Sequence, residues 1–304
     1  MDEVKFDKSK LIKYIIWTFA IAWIMQGAVA VLVHYADNDP SLKMVAEGLI
    51  ALVMFAPLLG TAIAKRSLRG VGWKPVLKGN IKNILTAWFA PAVLTAIGAV
   101  IFFIIFPEYF DLSGKFLANN GQEEVLNALE KGGLTYPMYI LIQAVSCITY
   151  YPIINMFFAV GEEVGWRGFL YPQLKARFGK AKGWLLGGTI WGIWHWPLIG
   201  LIGYEYGKDY IGFPVVGMLL FCLFTMAVGI ICDRLYEKSK CIWMPAVFHG
   251  AINAAATIPM AVSLVSSGNI MLLGPAPIGI LAGLPFLFFA GILFYRAVKG
   301  TDSI

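Results

Sequence analysis

Met138–Val160 is an apolar run that ends directly in Gly161-Glu162-Glu163-Val164-Gly165-Trp166-Arg167-Gly168. The run is long enough to cross a bilayer, which takes about 20 mostly apolar residues. It therefore delivers three charges to a place where lipid tolerates them poorly, and ionisable residues so placed are costly and usually functional. Two further polar intrusions follow downstream. One is His195, within Trp191-Gly192-Ile193-Trp194-His195-Trp196-Pro197; the other is His249 with Asn253, within Phe248-His249-Gly250-Ala251-Ile252-Asn253-Ala254.

The rest of the chain agrees with a membrane setting. Of 304 residues, 59% are hydrophobic and 14% charged, and the mean hydropathy is +0.72. Soluble domains are nearer a quarter charged and could not hide so much apolar surface. Eight stretches are candidate spans: Tyr14–Val33, Val45–Ala64, Ile84–Phe106, Met138–Val160, Trp184–Ile202, Pro214–Cys232, Ile242–Leu264 and Ile278–Tyr295. The first follows four lysines but is longer than the h-region of a signal peptide, so it reads as an anchor. The expected fold is all-α: one polytopic membrane domain over 1–304, with about eight transmembrane helices around a polar inner cavity. Residues 138–264 hold the helices that carry the polar motifs.

Charge gives the orientation. With the N-terminus inside, eight spans put 20 of the 24 Lys and Arg in cytoplasmic segments and 4 outside, namely Lys43, Lys115, Lys131 and Lys208. This is the positive-inside distribution. Both termini are expected in the cytoplasm, in the cell membrane if the source is a prokaryote. The net charge of +6 then reflects topology, and no nucleic-acid partner is expected. The four cysteines show no C-x-x-C pair and read as packing residues. Outside, Gln122–Lys131 fits a short amphipathic surface helix. Inside, Lys65–Lys82 has six bases and no acid, which suits either an anionic leaflet or a solvated loop.

At the end of the fourth span, a helix continued to about Leu170 puts Glu163 and Arg167 four apart on one face, a favourable acid-to-base order. Glu162 is rotated about 100° away. Without that partner, it is the carboxylate left to accept a proton from water. His195 and His249 lie roughly 15–18 Å and 10–12 Å from the same membrane face at 1.5 Å per residue. His249 and Asn253 share one helix face, and Trp191 is expected to lie against the His195 ring. Gly188 and Gly192 let another helix approach closely, which suggests tight packing of the fourth, fifth and seventh spans. His34 stands at an outer helix end and carries no such expectation.

Glu162-Glu163-x-x-x-Arg167, Trp191-x-x-x-His195 and His249-x-x-x-Asn253 resemble the three motifs of the CPBP intramembrane proteases, a family that includes Ras-converting CAAX endopeptidases and bacteriocin self-immunity proteins. The motifs cover about 161–253 in the family's order; the second often begins with Phe, where this chain has Trp191. The resemblance implies endopeptidase chemistry in which Glu162 and His195 activate water. His249 and Asn253 would stabilise the tetrahedral oxyanion, and Glu163 and Arg167 would hold the helix end. The family is often labelled metalloprotease, and Glu162, His195 and His249 have the ligand count of a catalytic zinc site. Zinc or another divalent metal is therefore an alternative. The spacing is not H-E-x-x-H, and Asn253 suits an oxyanion donor, so the preferred mechanism needs no metal. Expected partners are the bilayer and a substrate that is either a peptide or a prenylated protein. Two other functions use the same residues: a transporter, against which stands the lack of an inverted repeat, and a non-catalytic or immunity protein.

Overall fold

The computed structural model describes residues 4–36, 39–119 and 121–301. Among them there is no β-strand, only an isolated bridge between Phe110 and Ser263. The helices are α1 (Lys8–Tyr35), α2 (Pro40–Val53), α3 (Ala56–Lys65), α4 (Ile81–Ile105), α5 (Lys115–Asn119), α6 (Glu123–Lys131), α7 (Tyr136–Thr149) and α8 (Tyr151–Gly165). After a π-turn at Trp166–Leu170 come α9 (Tyr171–Phe178), α10 (Lys180–Trp194), α11 (Trp196–Ile202), α12 (Val215–Ser239), α13 (Trp243–Ala255), α14 (Thr257–Ala261) and α15 (Leu284–Val298). The chain is an all-α polytopic protein. The amphipathic helix expected at Gln122–Lys131 is α6.

Among the described residues five helical stretches are long and apolar enough to cross a membrane: α1, α2–α3, α4, α10–α11 and α12. The pair α7 and α8–α9, bent by 52°, makes a sixth. The last two expected spans are shorter than their apolar runs. The regular helices α13 and α14 end at Ala261, and α15 starts only at Leu284. Between them Gly274-Pro275-Ala276-Pro277 removes two amide donors within three residues, which a helix cannot accommodate.

The bend before α8 has a similar cause. Pro152 supplies no N–H to the carbonyl of Ile148, and the indole Nε1 of Trp88 donates to that oxygen instead, at 2.7 Å. The fourth span is thus two helices rather than one, and α8 is aimed independently of α7.

Loops gather at two ends. At one end Asp7 N donates to Gln173 Oε1 (2.7 Å), Tyr236 OH to Val71 O (3.3 Å) and Ile242 N to Gly72 O (3.0 Å). At the other, Tyr136 OH donates to Ala261 O, Asp111 N to Val262 O and Ile211 N to Asn269 Oδ1. Segments that the Lys and Arg pattern puts on one side of the membrane therefore share one end of the bundle. The extreme termini, 1–3 and 302–304, lie outside the described residues.

Candidate active site

The last turn of α8 carries Glu162 and Glu163, 2% and 0% exposed, and the π-turn that follows carries Arg167, 0% exposed. The glycines around them permit this burial. A Cβ on Gly161 would lie 2.7 Å from Met54 O, and one on Gly165 2.7 Å from Pro57 C, so the break between α2 and α3 packs directly on α8. On the other side Gly250 does the same for α13, where a Cβ would meet Met156 N at 2.6 Å. The helix continues beyond the expected end near Leu170, through the π-turn into α9. Such turns recur at functional sites because the extra residue re-aims side chains.

Glu163 does more than hold a helix end. Its Oε1 accepts from Arg167 Nη1 and from His249 Nδ1, both at 2.9 Å. A carboxylate oxygen can only accept here, so Nδ1 of His249 carries the hydrogen. The Arg167 guanidinium also lies over the rings of Trp191 (4.5 Å) and Tyr171 (4.8 Å). The Glu163–Arg167 ion pair and the Glu163–His249 hydrogen bond form one unit that fixes the imidazole.

Among the described residues Glu162 makes no ion pair of its own. Instead Oε2 accepts from the indole Nε1 of Trp166 (3.0 Å) and of Trp191 (2.7 Å). Two neutral donors on one oxygen orient the carboxylate and leave Oε1 to other partners. The aromatic expected against His195 is corrected here. The Trp191 ring packs edge-on against His249, with centroids 5.2 Å apart. His195 instead meets Trp194 (4.6 Å), Phe221 (4.6 Å) and the parallel ring of Tyr204 (6.4 Å). Trp191 reaches His195 only through its carbonyl, which accepts from Nδ1 at 3.0 Å.

Glu162, Trp191, His195, His249 and Asn253 all line one cavity of about 890 Å³. Asn253 is exposed on α13 among buried neighbours. The cavity is longer than the inner-half pocket expected from the sequence. It extends to Phe116 and Gln122 beside α5 and α6, and to Glu205 after α11, at the far end of the bundle from Asp7. Residues of α2 (Glu47, Ile50) and of α8 (Tyr151, Phe158) both contribute walls. His34, exposed beside Tyr35, is not among the lining residues.

Two other expectations change. Glu162, His195 and His249 do not form a ligand set: among the described residues no three His, Cys, Asp or Glu side chains cluster so as to hold a metal. Nδ1 of each histidine is engaged, by Glu163 and by a carbonyl, which leaves Nε2 to other partners. The helix that approaches Gly188 and Gly192 is α12, with Thr225 Oγ1 donating to Gly188 O (2.9 Å) and Cys222 Cα 2.7 Å from a Cβ on Gly192.

One buried acid escaped the sequence argument. Asp233 on α12 is 0% exposed and accepts through Oδ2 from Lys175 Nζ and Trp184 Nε1; Glu237, one turn on, joins Lys175 (2.8 Å) and Lys180 (2.6 Å). The signal was present, since Asp233 and Glu237 are two acids four apart at a span end.

With three motifs from α8, α10 and α13 facing one cavity, comparison with known proteins falls on the same helices. Residues 135–255 match the family model described as Type II CAAX prenyl endopeptidase Rce1-like. This segment is similar to that family. It takes in Glu162, Glu163, Arg167, Trp191, His195 and His249 with Asn253, and also Asp233. A curated relative, CAAX prenyl protease 2 of Methanococcus maripaludis (strain S2), is 33% identical over 96 residues, 31% of this chain and 35% of that protein. The alignment therefore spans about a third of the relative's length.

Proposed function

We propose that this protein is a membrane-embedded endopeptidase that hydrolyses a peptide bond by glutamate-activated water. The observation that carries the reading is the convergence of Glu162, His195, His249 and Asn253 on one cavity inside an Rce1-like segment. Glu162, oriented by two indoles, takes a proton from water. His195 donates its Nδ1–H to Trp191 O, so in the neutral ring Nε2 is an acceptor for the same water. The water oxygen attacks the peptide carbonyl, and the oxyanion is met by Asn253 Nδ2 and by His249. With Nδ1–H committed to Glu163, His249 donates from Nε2 as an imidazolium, and Glu163 is its counter-ion. The proton on Glu162 then passes to the leaving nitrogen as the C–N bond breaks. No step is routed through a metal, because the donor set does not fit one.

The Lys and Arg bias places the end holding Asp7 and Gln173 in the cytoplasm, so cleavage takes place at the cytoplasmic end of the cavity. A prenylated CAAX-type C-terminal tail suits the apolar walls, which include Ile50, Phe158, Phe221 and Phe224. Charge favours a second substrate reading. Glu47, Glu162 and Glu205 outnumber the His249 imidazolium in the cavity lining, and among the described residues no Lys or Arg joins them. A free C-terminal carboxylate meets like charge there, whereas an unprenylated cationic peptide meets its complement. Cleavage of matched prenylated, unprenylated, acidic and basic reporter peptides separates the two. Glu162→Ala, His195→Ala and Asn253→Ala each abolish cleavage with expression intact; full activity in Glu162→Ala would sink the reading, and flux or protection that survives without cleavage would point to transport or immunity.

A further inference from the structure

Outside the catalytic cavity, a concentration of charge that the proposed chemistry does not use lies just past the motif glutamates, where α8 runs through the π-turn into α9. A groove of about 700 Å³ runs between the start of α1, the end of α3 and the π-turn. Lys5, Lys8, Lys10 and Lys65 line it, and its floor includes Gly168 and Gln173. Gln173 straps the N-terminal segment in place: its Oε1 accepts from Asp7 N (2.7 Å) and its Nε2 donates to Lys5 O (3.3 Å).

The one acid in the lining is already committed. Asp7 caps α1 by accepting from Lys10 N (3.0 Å) and pairs with Lys10 Nζ (2.9 Å); these contacts, the amide hydrogen bond foremost, hold its carboxyl below its usual range. Among the described residues Lys5, Lys8 and Lys65 have no carboxylate partner, and Lys65 Nζ reaches only the carbonyl of Arg69 (3.2 Å). Ammonium groups gathered around one groove repel one another unless an anion sits among them. Phe6, Phe169 and Pro172 give the same groove apolar walls.

We infer that this groove binds a phosphate-bearing anion, in the membrane the phosphodiester headgroup of an anionic phospholipid, and that its occupant steadies the turn that carries Arg167. The shared chemistry is a phosphate whose oxygens accept from several lysines; the apolar walls suit a group with acyl chains attached. Gly168 is in the groove wall and Arg167, next to it, holds Glu163 and through it His249. Occupancy therefore acts on the oxyanion side of the proposed endopeptidase site, and this coupling rests on that reading; binding does not.

The test uses the full chain, purified in detergent and in nanodiscs. Thermal shift is measured with phosphatidylglycerol, with phosphatidylcholine and with inorganic phosphate, for wild type, for Lys5→Gln/Lys8→Gln/Lys65→Gln and for the matching Arg triple. Phosphatidylglycerol raises wild-type Tm and phosphatidylcholine does not. The Gln triple binds about fivefold more weakly per lysine removed, and the Arg triple keeps the shift. Equal shifts in wild type and the Gln triple overturn the site. A shift with inorganic phosphate equal to that with phosphatidylglycerol overturns the lipid source and keeps the phosphate site. Cleavage by wild type rises several-fold with phosphatidylglycerol, and the Gln triple loses that rise while keeping its rate in phosphatidylcholine; a rise retained by the triple overturns the coupling. Absence of cleavage from every sample, with the lysine-dependent shift present, refutes the endopeptidase reading and leaves the phosphate site standing.

Discussion

The Glu162–Glu163–Arg167 cluster and the Lys175–Asp233–Glu237–Lys180 cluster are both built from carboxylates near the ends of apolar helices, and both are held by tryptophan indoles. They differ in what the acids face. Asp233 and Glu237 are answered by lysines and by Trp184, and neither lines the large cavity. In the motif cluster only one of two adjacent acids makes an ion pair among the described residues. Glu163 takes both Arg167 and His249, while Glu162 lines the cavity with indole donors alone. Buried charge by itself marks cost; the carboxylate at the cavity wall that makes no ion pair is the one to which we assign the proposed chemistry.

That contrast can be broken by isosteric substitutions. Glu162→Gln keeps the shape and removes the proton acceptor, and kcat/KM for a reporter peptide falls by about 10³-fold with Tm unchanged. Glu163→Gln leaves Arg167 buried beside a neutral amide and releases His249. Breaking a buried pair costs about 3–5 kcal/mol, so denaturation shows a large loss of stability together with lost activity. Asp233→Asn removes one acceptor from Lys175, which keeps Glu237; stability falls by about 1–3 kcal/mol while kcat stays within about twofold. A fall in kcat as deep as that of Glu162→Gln would erase the distinction between the clusters. Trp191→Phe deletes one indole donor to Glu162 and gives the smallest catalytic effect within the motif cluster, about tenfold in kcat with KM little changed.

Much of this was legible in the residues because helix periodicity is local. The Glu163–Arg167 pair, the isolation of Glu162 from that pair and the shared face of His249 and Asn253 all follow from spacings of one and four. What the sequence concealed was set by partners on other helices. Nothing in the spacing of α8 says that Glu163 also meets His249, 86 residues on. Trp191 was assigned to His195 by its i,i+4 position, yet its ring turns to Glu162 and His249 because α10 packs with that face inward. Gly188 and Gly192 announced a close approach without naming α12 as the neighbour. The bend at Tyr150 was legible in Pro152 and was passed over in favour of one continuous apolar run. Asp233 lies outside the adjacent-acid and histidine pattern of the motifs, although its spacing to Glu237 carries a similar message.

The most direct test of glutamate-activated water is cleavage of one reporter peptide by wild type and by Glu162→Gln, both in nanodiscs after exhaustive chelation. The account predicts that chelated wild type cuts at its untreated rate and that the Gln variant, equally well folded, does not cut. Wild type silenced by chelation and restored by zinc, or a Gln variant that cuts as fast as wild type, would contradict it.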